Sequence, residues 1–293
     1  MLYWLENDQI KISVDTMGGE LHHITGKKEG TQYLSDGNPA FWKYHAPILF
    51  PIVGKLRDNS YTIEDKTYHL PQHGLARVRE FQMVSQSANH LTFELSSSED
   101  TLAIYPYPFV LRIIYRLEGN NLSVTYEVLN PNSSTMYFSI GAHPAFRCPL
   151  EEGESLEDYS LVFDSKETAY RIPLNTDGLL KRDKVPFLDR QNTIALSHEL
   201  FSQDALIFES LKSCTVRLVS KNHKKGLVFD FSEFPYLGIW TIPDKKAPFV
   251  CIEPWMGHAD YEDFHGDFTQ KEGVLSLDTG EAFHCTYSIQ INQ

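Results

Sequence analysis

Phe109-Val110-Leu111-Arg112-Ile113-Ile114-Tyr115-Arg116-Leu117 leads through Gly119-Asn120-Asn121 into Leu122-Ser123-Val124-Thr125-Tyr126-Glu127-Val128. Successive side chains of a strand point to opposite faces, so a period of two marks a half-buried strand. Leu111, Ile113, Tyr115 and Leu117 fall on one face, and Arg112 and Arg116 on the other. Every second residue is again apolar from Leu122 to Val128. Gly-Asn-Asn between the two runs supplies the turn, so this stretch predicts a β-hairpin.

The pattern repeats on both sides. Tyr61–Glu64 pairs by the same logic with Thr67–Leu70, Phe81–Gln86 with Leu91–Leu95, and Val216–Ser220 with Leu227–Phe231. Aromatic residues make up 13% of the chain, with 18 Phe and 15 Tyr, and they suit a pleated, half-buried surface. Long amphipathic helical windows are missing, and Ser197–Phe201 alone reads as one short helix. Many short strands with few helices predict an all-β fold, a large antiparallel β-sandwich. The acidic stretch Glu151–Asp158 reads as a solvated loop, and no linker or repeat interrupts the chain, so residues 1–293 are expected to form one domain.

The 26 Lys and Arg residues against 39 Asp and Glu leave a net charge of −13. Phosphate backbones and anionic lipid surfaces attract clustered cations, so neither nucleic acid nor membrane is an expected partner. No apolar run is long enough to span a bilayer, and Met1–Asp8 lacks the features of a signal peptide. Cys148, Cys214, Cys251 and Cys285 are far apart and form no paired spacing for zinc or redox work. Free thiols in a cytoplasmic protein are the simplest reading.

Two places put an ionisable group at the end of an apolar run. In Phe249-Val250-Cys251-Ile252-Glu253-Pro254-Trp255, a strand puts Phe249, Cys251 and Glu253 on one face and Val250 and Ile252 on the other. A carboxyl held there is desolvated, its pKa rises, and it suits a general base near neutral pH. The ordinary alternative is a strand-end glutamate in water or in an ion pair. In Ser139-Ile140-Gly141-Ala142-His143-Pro144, small residues leave room beside an imidazole that donates or accepts a proton at physiological pH. Here the alternative is a satisfied core histidine. Leu70-Pro71-Gln72-His73-Gly74-Leu75-Ala76-Arg77 adds a second histidine and a cation, and Arg57 leaves another apolar run on a loop. Each alone is an ordinary turn or surface charge.

Together, His-Gly-x-x-Arg at 73–77, Gly-Ala-His-Pro-Ala-Phe at 141–146 and Cys-Ile-Glu-Pro-Trp at 251–255 resemble the aldose 1-epimerase (galactose mutarotase) family, closest to its bacterial branch associated with lactose operons. The similarity extends over essentially the whole chain. It implies a single-domain β-supersandwich with the sugar in an open cleft, and catalysis with no cofactor and no metal. It casts Glu253 as general base and His143 as general acid, interconverting the α and β anomers of a free or phosphorylated hexose. It makes His73, Arg57 and Asp204 sugar-binding residues; Arg77 in the 70–77 cluster is a further anchor, and Trp255, Trp240, Phe146 and Trp42 near these motifs are stacking candidates whose ordinary alternative is core packing. A monomer or homodimer is expected. Gly54-Lys55-Leu56-Arg57-Asp58-Asn59 departs from the longer Gly-Arg-x-x-Asn-Arg-type motif of galactose-specific members. Arg57 with Arg77 offers a phosphate grip instead.

Three other readings compete. A non-catalytic sugar-binding protein uses the same arginine, aspartate and aromatics but has no need of an acid–base pair. A glycoside hydrolase wants two carboxylates flanking the bond, with Asp204 the only partner for Glu253. A cupin-like metal site is disfavoured because adjacent His22 and His23 point to opposite faces of a regular strand.

Overall fold

The computed structural model describes residues 1–293. Strands Val110–Glu118 and Asn121–Leu129 pair antiparallel with Glu118 opposite Asn121, as the alternation predicts. Leu111, Ile113, Tyr115, Leu117, Leu122, Val124, Tyr126 and Val128 are all buried. Each such side chain contributes roughly 1.5–3 kcal/mol by leaving water. The opposite face stays wet, and Arg112 there joins Glu94 and Glu127 on the two flanking strands.

This hairpin lies inside a nine-stranded antiparallel sheet. From one edge the order is Val185–Ala195, Tyr159–Arg171, Thr215–Ser220, Gly226–Asp230, Ala282–Asn292, then the hairpin strands Asn121–Leu129 and Val110–Glu118, then His90–Ser96 and Gln82–Gln86. The hairpin predicted near residue 65 forms between Ser60–Ile63 and Lys66–His69, with positive φ at Glu64 and Asp65. The predicted helix at 197–201 is a single 3₁₀ turn, His198–Phe201.

A second sheet runs Leu206–Glu209, Tyr236–Trp240, Phe249–Met256, Ile140–Ala142, Ile48–Leu49, with Ala145–Arg147 also paired to Phe249–Met256. Its inner face, including Leu237, Ile239, Val250 and Ile252, packs into one core with the nine-stranded sheet. Its outer face carries two separate apolar clusters, one holding Ile207 and Trp255, the other Phe249 and Cys251. With both faces covered by other parts of the chain, Phe249–Trp255 is buried at every position. That is why its sequence reads as a near-continuous apolar run rather than an alternation.

Two local expectations are corrected. The strands Ile10–Asp15 and Glu20–Gly26 slip register between Ser13 and Val14, so His23 and Leu21 face consecutive residues and His22 is the extra one. This β-bulge breaks the strict alternation. The His22 ring stacks on His45 at 4.0 Å, and the His23 ring lies 6.1 Å from the same partner. The 151–158 segment is not simply solvated, because Glu154 accepts hydrogen bonds from Tyr159, Asn222 and Ser220.

Candidate active site

The outer face of the second sheet forms the floor of a cavity of about 500 Å³. Glu253 and Trp255 rise from the strand Phe249–Met256, and Trp240 from its neighbour. His143 sits between the short strands Ile140–Ala142 and Ala145–Arg147, and its backbone N–H donates to Pro47 O at 3.1 Å. His143 Nε2 lies 3.2 Å from Glu253 Oε2. The sequence separates them by over a hundred residues, and the sheet brings them into contact.

The Trp255 ring has room only because both flanking strands carry glycine on this face. A Cβ on Gly141 would lie 2.8 Å from the indole, and one on Gly238 2.5 Å from it. Trp42 covers the imidazole from outside, with ring centroids 4.7 Å apart, and Trp240 meets it edge-on at 5.8 Å. Phe146 is core instead, packed on Phe229.

His73 enters on the loop after Lys66–His69. Its N–H donates to Gly54 O at 2.8 Å, and its Nδ1 accepts from Gly54 N at 3.2 Å. An Nδ1 that accepts leaves the ring proton on Nε2, so His73 offers an N–H donor. The ring lies 5.5 Å from that of His143. The loop is tight: φ is positive at both His73 and Gly74, and a Cβ on Gly74 would fall 2.3 Å from Phe50 O. Gly74→Ala is therefore expected to lower stability by more than about 1 kcal/mol and to raise KM, because His73 moves with the loop. Thermal melts and initial rates check both.

Burial pushes Glu253 well above the ordinary carboxylate range, and the Asp204 charge adds to the rise. Burial holds His143 down to about 3, with the Arg77 charge acting in the same sense. Burial, with His143 and Arg77, also holds His73 well below its usual value. Burial thus acts against the charged form of each group, in the direction of a neutral pair with its proton on the carboxyl.

Arg77 also lines the cavity; its Nη2 donates to Gln72 O at 2.8 Å, and its guanidinium lies 5.0 Å over the Tyr44 ring. Asp204 stands at the exposed rim with φ of 73°. Arg57 is corrected. It does not line this cavity: its Nε donates to Phe264 O at 3.3 Å, its Nη2 donates to Glu262 O, and its backbone N–H reaches Asp260. These bonds tie it to the 260–264 loop. The cavity wall also takes Gln72, Leu174, Ser202, Pro243 and Ala259. These sit on loops placed by long-range bonds such as Leu180 N–H to Asp260 O at 2.8 Å, which leave no local pattern in the sequence.

A β-sandwich whose second sheet is hollowed on its outer face, with a buried His–Glu contact in the hollow, is the galactose mutarotase-like fold. The chain belongs to the aldose 1-epimerase family, whose family model matches residues 1–276. It is 38% identical over 289 residues to the chromosomal protein LacX of Lactococcus lactis subsp. lactis, covering 94% of this chain and 96% of that one. The crystal structure of a galactose mutarotase related enzyme from Lactobacillus acidophilus superposes with a TM-score of 0.95 at 35% identity, covering 100% of this chain and 98% of that one. A galactose mutarotase-like protein from Lactobacillus casei gives 0.94 at 31%, with both chains covered in full. The four cysteines are free thiols, and no helix is long and apolar enough to cross a membrane.

Proposed function

We propose that this cavity interconverts the α and β anomers of an unphosphorylated aldose. The observation that carries the proposal is the 3.2 Å contact between His143 and Glu253 in the wall of a sugar-sized hollow. Ring opening removes the proton of the C1 hydroxyl and delivers one to the ring oxygen. Both oxygens are bonded to C1, so an acid and a base in mutual contact address both at once. A C1 hydroxyl donating to Glu253 stabilises the carboxylate, and the shared proton passes to His143. Glu253 then accepts the hydroxyl proton while His143 protonates the ring oxygen. Rotation about C1–C2 and the reverse transfers close the other anomer. His73, with its Nε2 proton, supports a sugar oxygen nearby, and Trp42, Trp240 and Trp255 supply apolar faces for the ring.

The charge of the wall supports a neutral sugar. Arg77 is the only Lys or Arg among the lining residues, and the Asp204 carboxylate already offsets it. With Arg57 turned away, the two-arginine phosphate grip is not assembled. Polarimetry of fresh α-glucose and α-galactose is expected to show catalysed mutarotation. The 6-phosphates are expected to be poorer by roughly tenfold or more in kcat/KM, because like-charge juxtaposition costs several kcal/mol. Sugar binding with rates equal to buffer would instead identify a non-catalytic sugar-binding protein.

The pH profile follows from the shared proton. Below about 3 the imidazole gains a second proton and the pair loses its base. At high pH the carboxyl loses its proton and the pair loses its acid. kcat/KM is therefore expected to stay level through about pH 6.5, where a free imidazole titrates. An acid limb centred there would show that His143 titrates as if in water.

A further inference from the structure

Cys251 takes no part in the proton transfers above, yet it lies beside them. It precedes Glu253 by two residues on the same face of the strand Phe249–Met256 and is fully buried. One donor atom each from His143, Cys251 and Glu253 lie within 4.8 Å of one another, and this is the only such cluster of three or more in the chain. Buried His143 Nδ1 has no hydrogen-bond partner, so the ring is not committed elsewhere.

The spacing suits a metal ion. Two nitrogen or oxygen ligands at about 2.0–2.1 Å in a tetrahedral shell stand roughly 3.3 Å apart, and zinc takes thiolate, imidazole and carboxylate together. The observed 3.2 Å between His143 Nε2 and Glu253 Oε2 already matches that separation. A thiolate ligand stands about 3.5 Å from such neighbours, so from a separation within 4.8 Å the sulfur needs an inward shift of no more than about 1.3 Å. His143 and Glu253 both line the cavity, so a fourth ligand, water or a sugar hydroxyl, would come from that side. Charge also balances. An ion of +2 displaces the thiol proton and the one proton held by the Glu–His pair, leaving a thiolate, a carboxylate and a neutral imidazole. The cluster is then neutral, which burial requires.

We propose that His143, Cys251 and Glu253 form a site for zinc or a similar borderline-soft divalent cation, and that an ion held there blocks turnover by taking the lone pairs the proton transfers use. The binding half stands apart from the epimerase reading, and only the block rests on it.

Cobalt(II) titration of the full chain, followed by zinc competition, tests the site. One cobalt per chain is expected, with a thiolate-to-metal absorption band that zinc removes. In Cys251→Ser the band is lost and zinc affinity falls about tenfold or more, as for lesser changes around metal sites. Glu253→Gln weakens binding likewise, and serves if Cys251→Ser does not fold. Cys214 is exposed, so Cys214→Ser controls for surface binding and keeps the band. No band in the wild type, or a band that follows Cys214, overturns the site. For the block, zinc inhibition of mutarotation is expected to need about ten times more metal in Cys251→Ser; equal sensitivity overturns it.

Discussion

Glu253→Gln is expected to lower the catalysed mutarotation rate by about 10²–10⁴-fold, the usual contribution of a positioned acid–base group. Glutamine keeps the shape of the side chain and removes its ability to take the C1 proton. Binding through Arg77, Asp204 and the tryptophans is left in place, so the loss should fall on kcat more than on KM. The same substitution removes a carboxyl that burial has pushed far from its ordinary pKa. Folding free energy should therefore hold or rise, and calorimetry beside polarimetry separates lost chemistry from lost structure. His143→Asn is expected to lose rate to a similar extent with sugar affinity largely kept. Wild-type turnover in Glu253→Gln would remove the base from the mechanism and with it the proposed reaction.

Lys271→Met should cost about 3–5 kcal/mol of stability, the range for removing one partner of a buried ion pair. Lys271 is 4% exposed. Its Nζ donates to His258 O at 2.7 Å and Ala259 O at 3.2 Å, and lies 3.5 Å from Asp260 Oδ1. Methionine fills the volume but takes a donor from those carbonyls and leaves Asp260, whose Oδ2 still accepts from the Arg57 N–H, without its cation. The consequence reaches the cavity, because Ala259 forms part of its wall and presses on Gly54, where a Cβ would fall 2.7 Å away. A loosened wall should lower kcat/KM as well as the melting temperature. Burial holds the Lys271 ammonium down to about 8, against an unfolded value near 10.4. Between those values the unfolded chain binds the extra proton, so this group adds stability as pH rises through the window. The methionine variant should lack that rise, which urea melts at pH 7.5 and 9.5 would show. An unchanged melting temperature at pH 7.5 would mean the ammonium contributes nothing net.

The strands were legible because their signal is local. Alternation from Leu111 to Leu117 and Leu122 to Val128 shows which side chains meet the core, and the turn between them sets the register. The face shared by Cys251 and Glu253 was legible for the same reason. His143 stood out because small residues precede it. What stayed hidden depends on contacts far along the chain. Arg57 reads as a free loop cation, but the carbonyl that captures it lies 205 residues downstream. The bulge that brings His22 and His23 to the same partner leaves no mark in composition. The rim residues Leu174 and Ser202 sit on loops, where periodicity has no meaning.

The floor that carries Glu253 and Trp255 is also the back wall of the protein's main core. Nothing on it can shift to suit a different guest without disturbing the packing beneath. On the proposed reaction, preference for one sugar over another is then expected to reside in the mouth of the hollow, in the segments around Trp42, Gly178, Asp204 and Pro243. Grafting those segments between relatives should trade preferences while the proton-handling machinery below stays as it is.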